Sequence, residues 1–128
     1  MCTRSEGRTE SVLMEVHAER VRQAAKHGHQ HHLPDGTGPD RQLMYELWDE
    51  STLPLEGTVN AFLAVLAKRR CGAASQDEGG DGSITFEHIL TEEWAEAVAE
   101  EDPARLREEL IQVAAVAVQW VEAIDARP

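Results

Sequence analysis

The chain has 128 residues, with 12 Lys+Arg against 24 Asp+Glu and a formal net charge of −12. A hydrophobic content of 41% suits one globular core rather than a disordered chain, and the length suits a single domain over residues 1–128. So acidic a chain has no cationic surplus to displace phosphate counterions, which argues against nucleic acid as a partner. It also has no apolar run of about 18 residues that would cross a bilayer. The opening stretch, Met1 to Glu10, mixes charged and polar residues and lacks an apolar signal core. Cys2 and Cys71 form no disulfide framework, so the expectation is a reduced, cytoplasmic protein.

Residues 1–9 read as a flexible tail. Glu10 to Lys26 carries Val12, Leu13, Val16, Val21, Ala24 and Ala25 at helical spacing, with Ser11 as a possible cap and Gly28 as the stop. Residues 28–40 form a His/Pro/Gly-rich loop in which Pro34-Asp35-Gly36 is a turn signal. Arg41 to Glu50 reads as a short helix, with Leu43, Met44, Leu47 and Trp48 on one side, ended by Pro54 and Gly57. Thr58 to Cys71 repeats Val59, Phe62, Leu63, Leu66 and Ala67 at helical spacing, with Lys68, Arg69 and Arg70 complementing the dipole of the last turn and Gly72 closing it. Residues 73–82 read as a flexible linker.

A further helix starts at Ser83 or Thr85 and runs to about Glu100. Asp102-Pro103 then opens another, reaching about Ala126, since proline suits the first helical position. Its expected buried stripe is Leu106, Leu110, Val113, Ala117, Trp120, Val121 and Ile124, widened by Ile111, Ala114 and Val118. Strand signals are weak throughout. The expected fold is all-α, an antiparallel bundle of about four main helices completed by oligomerisation, because a helix apolar on several sides packs on more than one neighbour.

The informative region is Phe86 to Gln112, which holds nine acidic residues and two basic ones. At about 100° per residue, with Leu90 at zero, Glu93 falls at about −60°, between Phe86, Ile89 and Ala97. Glu96 falls at about −120°, beside Ile89, whereas Glu92 points to about 200°, toward water. With Leu110 at zero on the next helix, Glu109 lies at about −100°, at the edge of the apolar stripe, and Gln112 lies one turn further along the same flank. The short connection makes the two helices antiparallel neighbours, so Glu93/Glu96 and Glu109/Gln112 face each other. Either these acids are ordinary solvated surface, or they turn inward and must protonate or find a cation, because burying bare carboxylates costs several kcal/mol. A hard divalent ion is the simplest partner; Mg²⁺ takes oxygen ligands and keeps sites for water and substrate phosphates.

Glu93-Trp94-Ala95-Glu96, 12 residues, then Glu109-Leu110-Ile111-Gln112 resembles the paired ExxE…ExxD signature of the MazG-like all-α nucleoside triphosphate pyrophosphatases. The doubled acids Glu92-Glu93 and Glu108-Glu109 are similar in style. Upstream, Arg22-Gln23, Lys26, Gly28, Gln30, His32 and Pro34-Asp35-Gly36 resemble the N-terminal segment of small phage and actinobacterial members. The resemblance implies hydrolysis of an NTP or dNTP to monophosphate and pyrophosphate with Mg²⁺, or Mn²⁺ in its place. It implies Glu93, Glu96 and Glu109 as metal ligands, with Gln112 in the position of the family's last Asp. Glu93 or Glu92 would then be the catalytic group that orients water. The family also implies a homodimer or higher homo-oligomer. Gln112 departs from the pattern: an amide oxygen can ligate, but it brings no charge and cannot act as a base.

Arg22 and Lys26, at i, i+4 near the end of the first long helix, are candidate substrate-phosphate contacts, with surface solvation as the plain alternative. His27, His29, His31 and His32 offer imidazoles, but in a loop with no acid or thiol at matching spacing. The alternative from another class is a helical oligomer that binds a nucleotide or protein partner without turnover.

Overall fold

A computed structural model describes residues 2–28, 30–39 and 59–128. These form four α-helices and no strand: α1 (Cys2–His27), α2 (Val59–Ala74), α3 (Phe86–Ala99) and α4 (Pro103–Asp125). The helix expected over Arg41 to Glu50 and the start expected at Thr58 lie outside the described residues.

Helix α1 begins at Cys2, so the expected loose tail is helical from there on. Residues 2–9 contain no proline, and Gly7 alone costs about 1 kcal/mol, which a continuous helix tolerates. Gly28 ends it with φ 71° and its N–H bonded to the Ala24 carbonyl, a left-handed stop that glycine adopts without strain. Helix α2 runs past Gly72 to Ala74. The segment after it is a hydrogen-bonded turn rather than an open linker. Gln76–Glu78 forms one 3₁₀ turn, Gly80 N–H bonds Ser75 O, Asp81 N–H bonds Ala73 O, and Ile84 N–H bonds Ala74 O. A Cβ at Gly80 would lie 2.4 Å from the Ala73 carbonyl oxygen, so the turn needs glycine there.

Helices α2 and α3 are antiparallel: Asn60 Nδ2 donates to Val98 O at one end, and Arg70 forks onto Glu87 at the other, Nη1 to Oε2 at 2.7 Å. Their contact buries Leu66, Ala67 and Ala95, with Phe62 and Ala64 packed alongside. The turn at Glu100–Asp102 reverses the chain so that α4 returns along α3. Here the core is Leu33, Phe86 and Ala123, flanked by Ile84, Ile89 and Trp120. The Phe86 and Trp120 rings stack 5.7 Å apart. Helix α1 crosses α4, with Arg107 bonded to Glu15 and Arg20 to Glu122.

The loop at residues 33–37 is clamped onto the start of α3. Phe86 N–H bonds Pro34 O and Glu87 N–H bonds Asp35 O. The Asp35 carboxylate accepts from Trp120 Nε1 at 2.6 Å and from both Arg127 Nη atoms. Gly36 sits at φ 79°, where a Cβ would lie 2.3 Å from Thr85 Oγ1.

Two expected stripes are corrected. On α4 the fully buried face is Ala115, Val116, Gln119 and Ala123, while Leu110, Ala117, Val121 and Ile124 face out. On α1, Val16 is buried among half-buried Glu15, Glu19 and Gln23, and Leu13, Met14 and Val21 are exposed. The buried face of α4 holds two alanines beside Val116 and Gln119, and Ala123 packs directly on Phe86 of α3. Among the described residues no helix is long and apolar enough to cross a membrane.

Phe86→Ala removes the ring on which Leu33, Ala123 and Trp120 pack. It should lower the unfolding free energy by about 3–5 kcal/mol, read as a lower urea midpoint at unchanged m-value.

Candidate metal centre

The register of α3 is set at its first turn. Thr85 Oγ1 accepts from His88 N–H, and the His88 ring accepts from Thr85 N–H at Nδ1, a reciprocal cap that satisfies two orphan donors. From that start Ala95 and Ala97 are buried, and Glu93 and Glu96 project one turn apart toward α4. Asp102-Pro103 starts α4 in the opposite direction and brings Glu109 across from them. One carboxylate oxygen from each of Glu93, Glu96 and Glu109 lies within 4.8 Å of the others, and all three residues are half-buried.

The electrostatics of the cluster are unfavourable for anions. Glu93 Oε2 and Glu109 Oε2 are buried with no hydrogen-bond partner. Burial, then repulsion from Glu96, Glu92, Glu109 and Glu19, pushes the Glu93 carboxyl up to about 8. Burial and the Glu92 charge raise Glu96, partly offset by Lys68 on α2. Burial, then the Glu96 charge and the hydrogen bond with Glu96, raises Glu109. By contrast, Glu87 on the same helix is also buried, but Arg70 and Thr91 hydrogen-bond it and bring it below the usual carboxylate range.

The remaining expected site residues take several positions. Gln112 is half-buried one turn beyond Glu109. Glu92 is corrected: instead of pointing to water it is half-buried beside Cys71 and Glu96. Burial, then the neighbouring Glu92, pushes the Cys71 thiol far up, so it is no nucleophile. Arg22 does not reach the cluster. It bonds Glu19 at 2.7 Å and stays exposed, as does Lys26 in the last turn of α1. His31 and His32 line a separate cleft of about 510 Å³ with Leu33, Pro34 and Ala123. Among the described residues they join no group of three ligands; His29 lies outside those residues.

Two residues near the cluster were not expected. Glu19 approaches from α1 closely enough to raise Glu93, and its signal was the 4-3-4 spacing of Val12, Val16, Glu19 and Gln23. Lys68 faces Glu96, although its position near the end of α2 was explained equally well by the helix dipole.

Three carboxylate oxygens gathered within 4.8 Å could converge on one hard cation. The donor set is all oxygen, which excludes a soft-metal preference. No protein-family model, curated protein or solved structure matches the chain.

The raised Glu93 carboxyl has a stability consequence. Between about pH 4.5, where the unfolded carboxyl titrates, and about 8, the folded chain holds a proton that the unfolded chain has lost. Stability therefore falls as pH rises through this window, and the penalty is complete above it. The metal-free protein should melt about 5 °C lower at pH 9 than at pH 6. Glu93→Gln should flatten that difference in a thermal scan across pH.

Proposed function

We propose that the chain is a MazG-like nucleoside triphosphate pyrophosphohydrolase that binds Mg²⁺, or Mn²⁺ in its place, through Glu93, Glu96 and Glu109. The observation that carries this reading is the pair of buried, unbonded oxygens, Glu93 Oε2 and Glu109 Oε2, beside Glu96. Buried acceptors without donors are costly, and a cation satisfies several at once. The paired ExxE…ExxQ spacing supports the family assignment independently of the packing.

When bound, the cation supplies charge neutralisation of the triphosphate and polarisation of a phosphoryl oxygen. The chain's residues divide the remaining work. Glu93, Glu96 and Glu109 would hold the ion as carboxylates, so the proton that burial and repulsion keep on Glu93 would leave on binding. Gln112 offers a neutral amide oxygen on the same flank. Glu92 or Glu93 accepts a hydrogen bond from the attacking water and orients it. Arg22 and Lys26 stand at the end of α1 as the cationic contacts for outlying phosphates; Glu19 competes for Arg22 until substrate arrives. The acidic surface and reduced thiols fit the cytoplasm, where Mg²⁺-bound nucleotides are the form available.

The test is a panel of NTPs and dNTPs with Mg²⁺ or Mn²⁺, read for pyrophosphate. Product that falls by at least about 100-fold in Glu93→Gln agrees with a ligand role. Glu93→Gln should also abolish the rise in melting temperature that Mg²⁺ gives the parent protein. Gln112→Asp should tighten Mg²⁺ binding by about tenfold, the worth of one added charge near the ion. The neutral Gln112 also favours a second reading, a nucleotide-binding module without turnover. It is distinguished by thermal stabilisation with one nucleotide and no pyrophosphate from any.

A further inference from the structure

Helix α1 is attached differently from the other three. Among the described helices it packs only on α4, and none of its residues enters either apolar cluster. Of its described side chains Val16 alone is buried, at 5% exposed. Around Val16 stand Glu15, Glu19, Arg20 and Gln23, all polar and half-buried. Two ion pairs cross to α4: Arg107 Nη1 meets Glu15 Oε1 at 2.8 Å, and Arg20 Nε meets Glu122 Oε1 at 2.9 Å. Such pairs hold weakly where water reaches them, because each gives up hydration and side-chain freedom to form. The α2–α3 and α3–α4 contacts instead bury Leu66, Ala67, Phe86 and Ala123, which no salt or charge reversal releases.

The chain that leaves α1 is fixed. Gly28 sits at φ 71°, where a Cβ would meet nothing within 4 Å. Just beyond it Leu33 is buried against Phe86, and Asp35 is clasped by Trp120 and Arg127. A 26-residue helix held mainly by charge thus joins a firmly held loop through one glycine, which is the layout of a hinge. We propose that α1 is a hinged arm: it is latched to α4 by the Glu15–Arg107 and Arg20–Glu122 pairs, swings about Gly28 when they part, and when docked covers one side of the acid cluster. Glu19 places it there. This residue lies on the docked face with its side chain 17% exposed, near enough to Glu93 for the two charges to repel. Docking therefore adds a negative charge to a cluster already short of counter-charge, which works against the latch. Opening withdraws Glu19 and gives a solute access to the acids from the α1 side. It also moves Arg22 and Lys26, which ride on the same helix.

Hydrogen–deuterium exchange by mass spectrometry on the full chain, with no metal added, reads the latch. A single helix away from its support frays in water, so α1 amides should exchange well before those of α3 and α4. Arg107→Glu should speed exchange in α1 by about tenfold, an attraction turned into a repulsion, and leave α3 and α4 unchanged. Arg107→Glu with Glu15→Arg should restore the parent rate, as coupled neighbours do. Labelling of carboxylates with a carbodiimide and a glycine ester reads what the arm covers. Glu93 should label several-fold faster in Arg107→Glu, whereas Glu87, tied to Arg70, should keep its parent rate. The latch is overturned by parent α1 amides that exchange no sooner than those of α3, by an acceleration that spreads equally to α3 and α4, or by a double variant that fails to recover. Faster α1 exchange with unchanged Glu93 labelling overturns the cover over the acids. No step uses a cation or a nucleotide, so failure here leaves the hydrolase reading standing, and a chain that yields no pyrophosphate leaves the arm standing.

Discussion

A carboxylate can leave water only with a donor, a proton or a cation to replace it, and that constraint organises the functional half of this molecule. The contrast lies within one helix. Glu87 meets the requirement through Arg70 and Thr91 and stays an anion. Glu93, two turns later, has other acids for neighbours and is driven toward its neutral form. The first arrangement is a structural tie between α2 and α3; the second is a cluster of acids that no donor among the described residues satisfies fully. Ala95 seats α3 against Leu66 and Ala67 of α2, and Ala123 seats α4 against Phe86 of α3, on either side of the acids.

Helix α4 turns part of its bulky face outward. A helix that is aliphatic on one side and alanine-rich on the other can bury either. Burying the larger side chains removes more apolar surface, but it holds the helix axes further apart. Here the face with Ala115 and Ala123 is the inner one, and Leu110, Val121 and Ile124 stay exposed.

The elements themselves were largely legible in the sequence. Asp102-Pro103 marks the start of α4, Gly28 the end of α1, and Thr85 the cap of α3, because caps and breakers act within a few residues of themselves. The position of Glu93 inside an apolar stripe pointed to the α3–α4 contact, and the short connection pointed to Glu109 as its neighbour. What sequence did not yield was the choice between faces that are both plausible. On α4 and α1 hydrophobicity pointed to a stripe that the structure covers only in part, burying Val16 and half-burying Leu106, Val113 and Trp120 but exposing Leu110, Val121 and Ile124, since periodicity records that a helix is amphipathic but not which neighbour lies against it. Glu92 was misplaced for a related reason: Cys71 approaches it from α2, a contact no local pattern encodes. Glu19 and Lys68 come from distant segments and were equally hidden.

The Asp35 clasp has its own consequence for how the chain is made. Its partners Trp120 and Arg127 lie 85 and 92 residues further along. During synthesis the loop at 33–37 reaches the solvent long before either of them exists, so until then only its Pro34 and Asp35 carbonyls, bonded to the start of α3, can hold it. Only when residue 127 clears the ribosome can the last helix draw that loop into place. Closing the clasp is therefore a late step of folding, because it joins residues far apart in the chain.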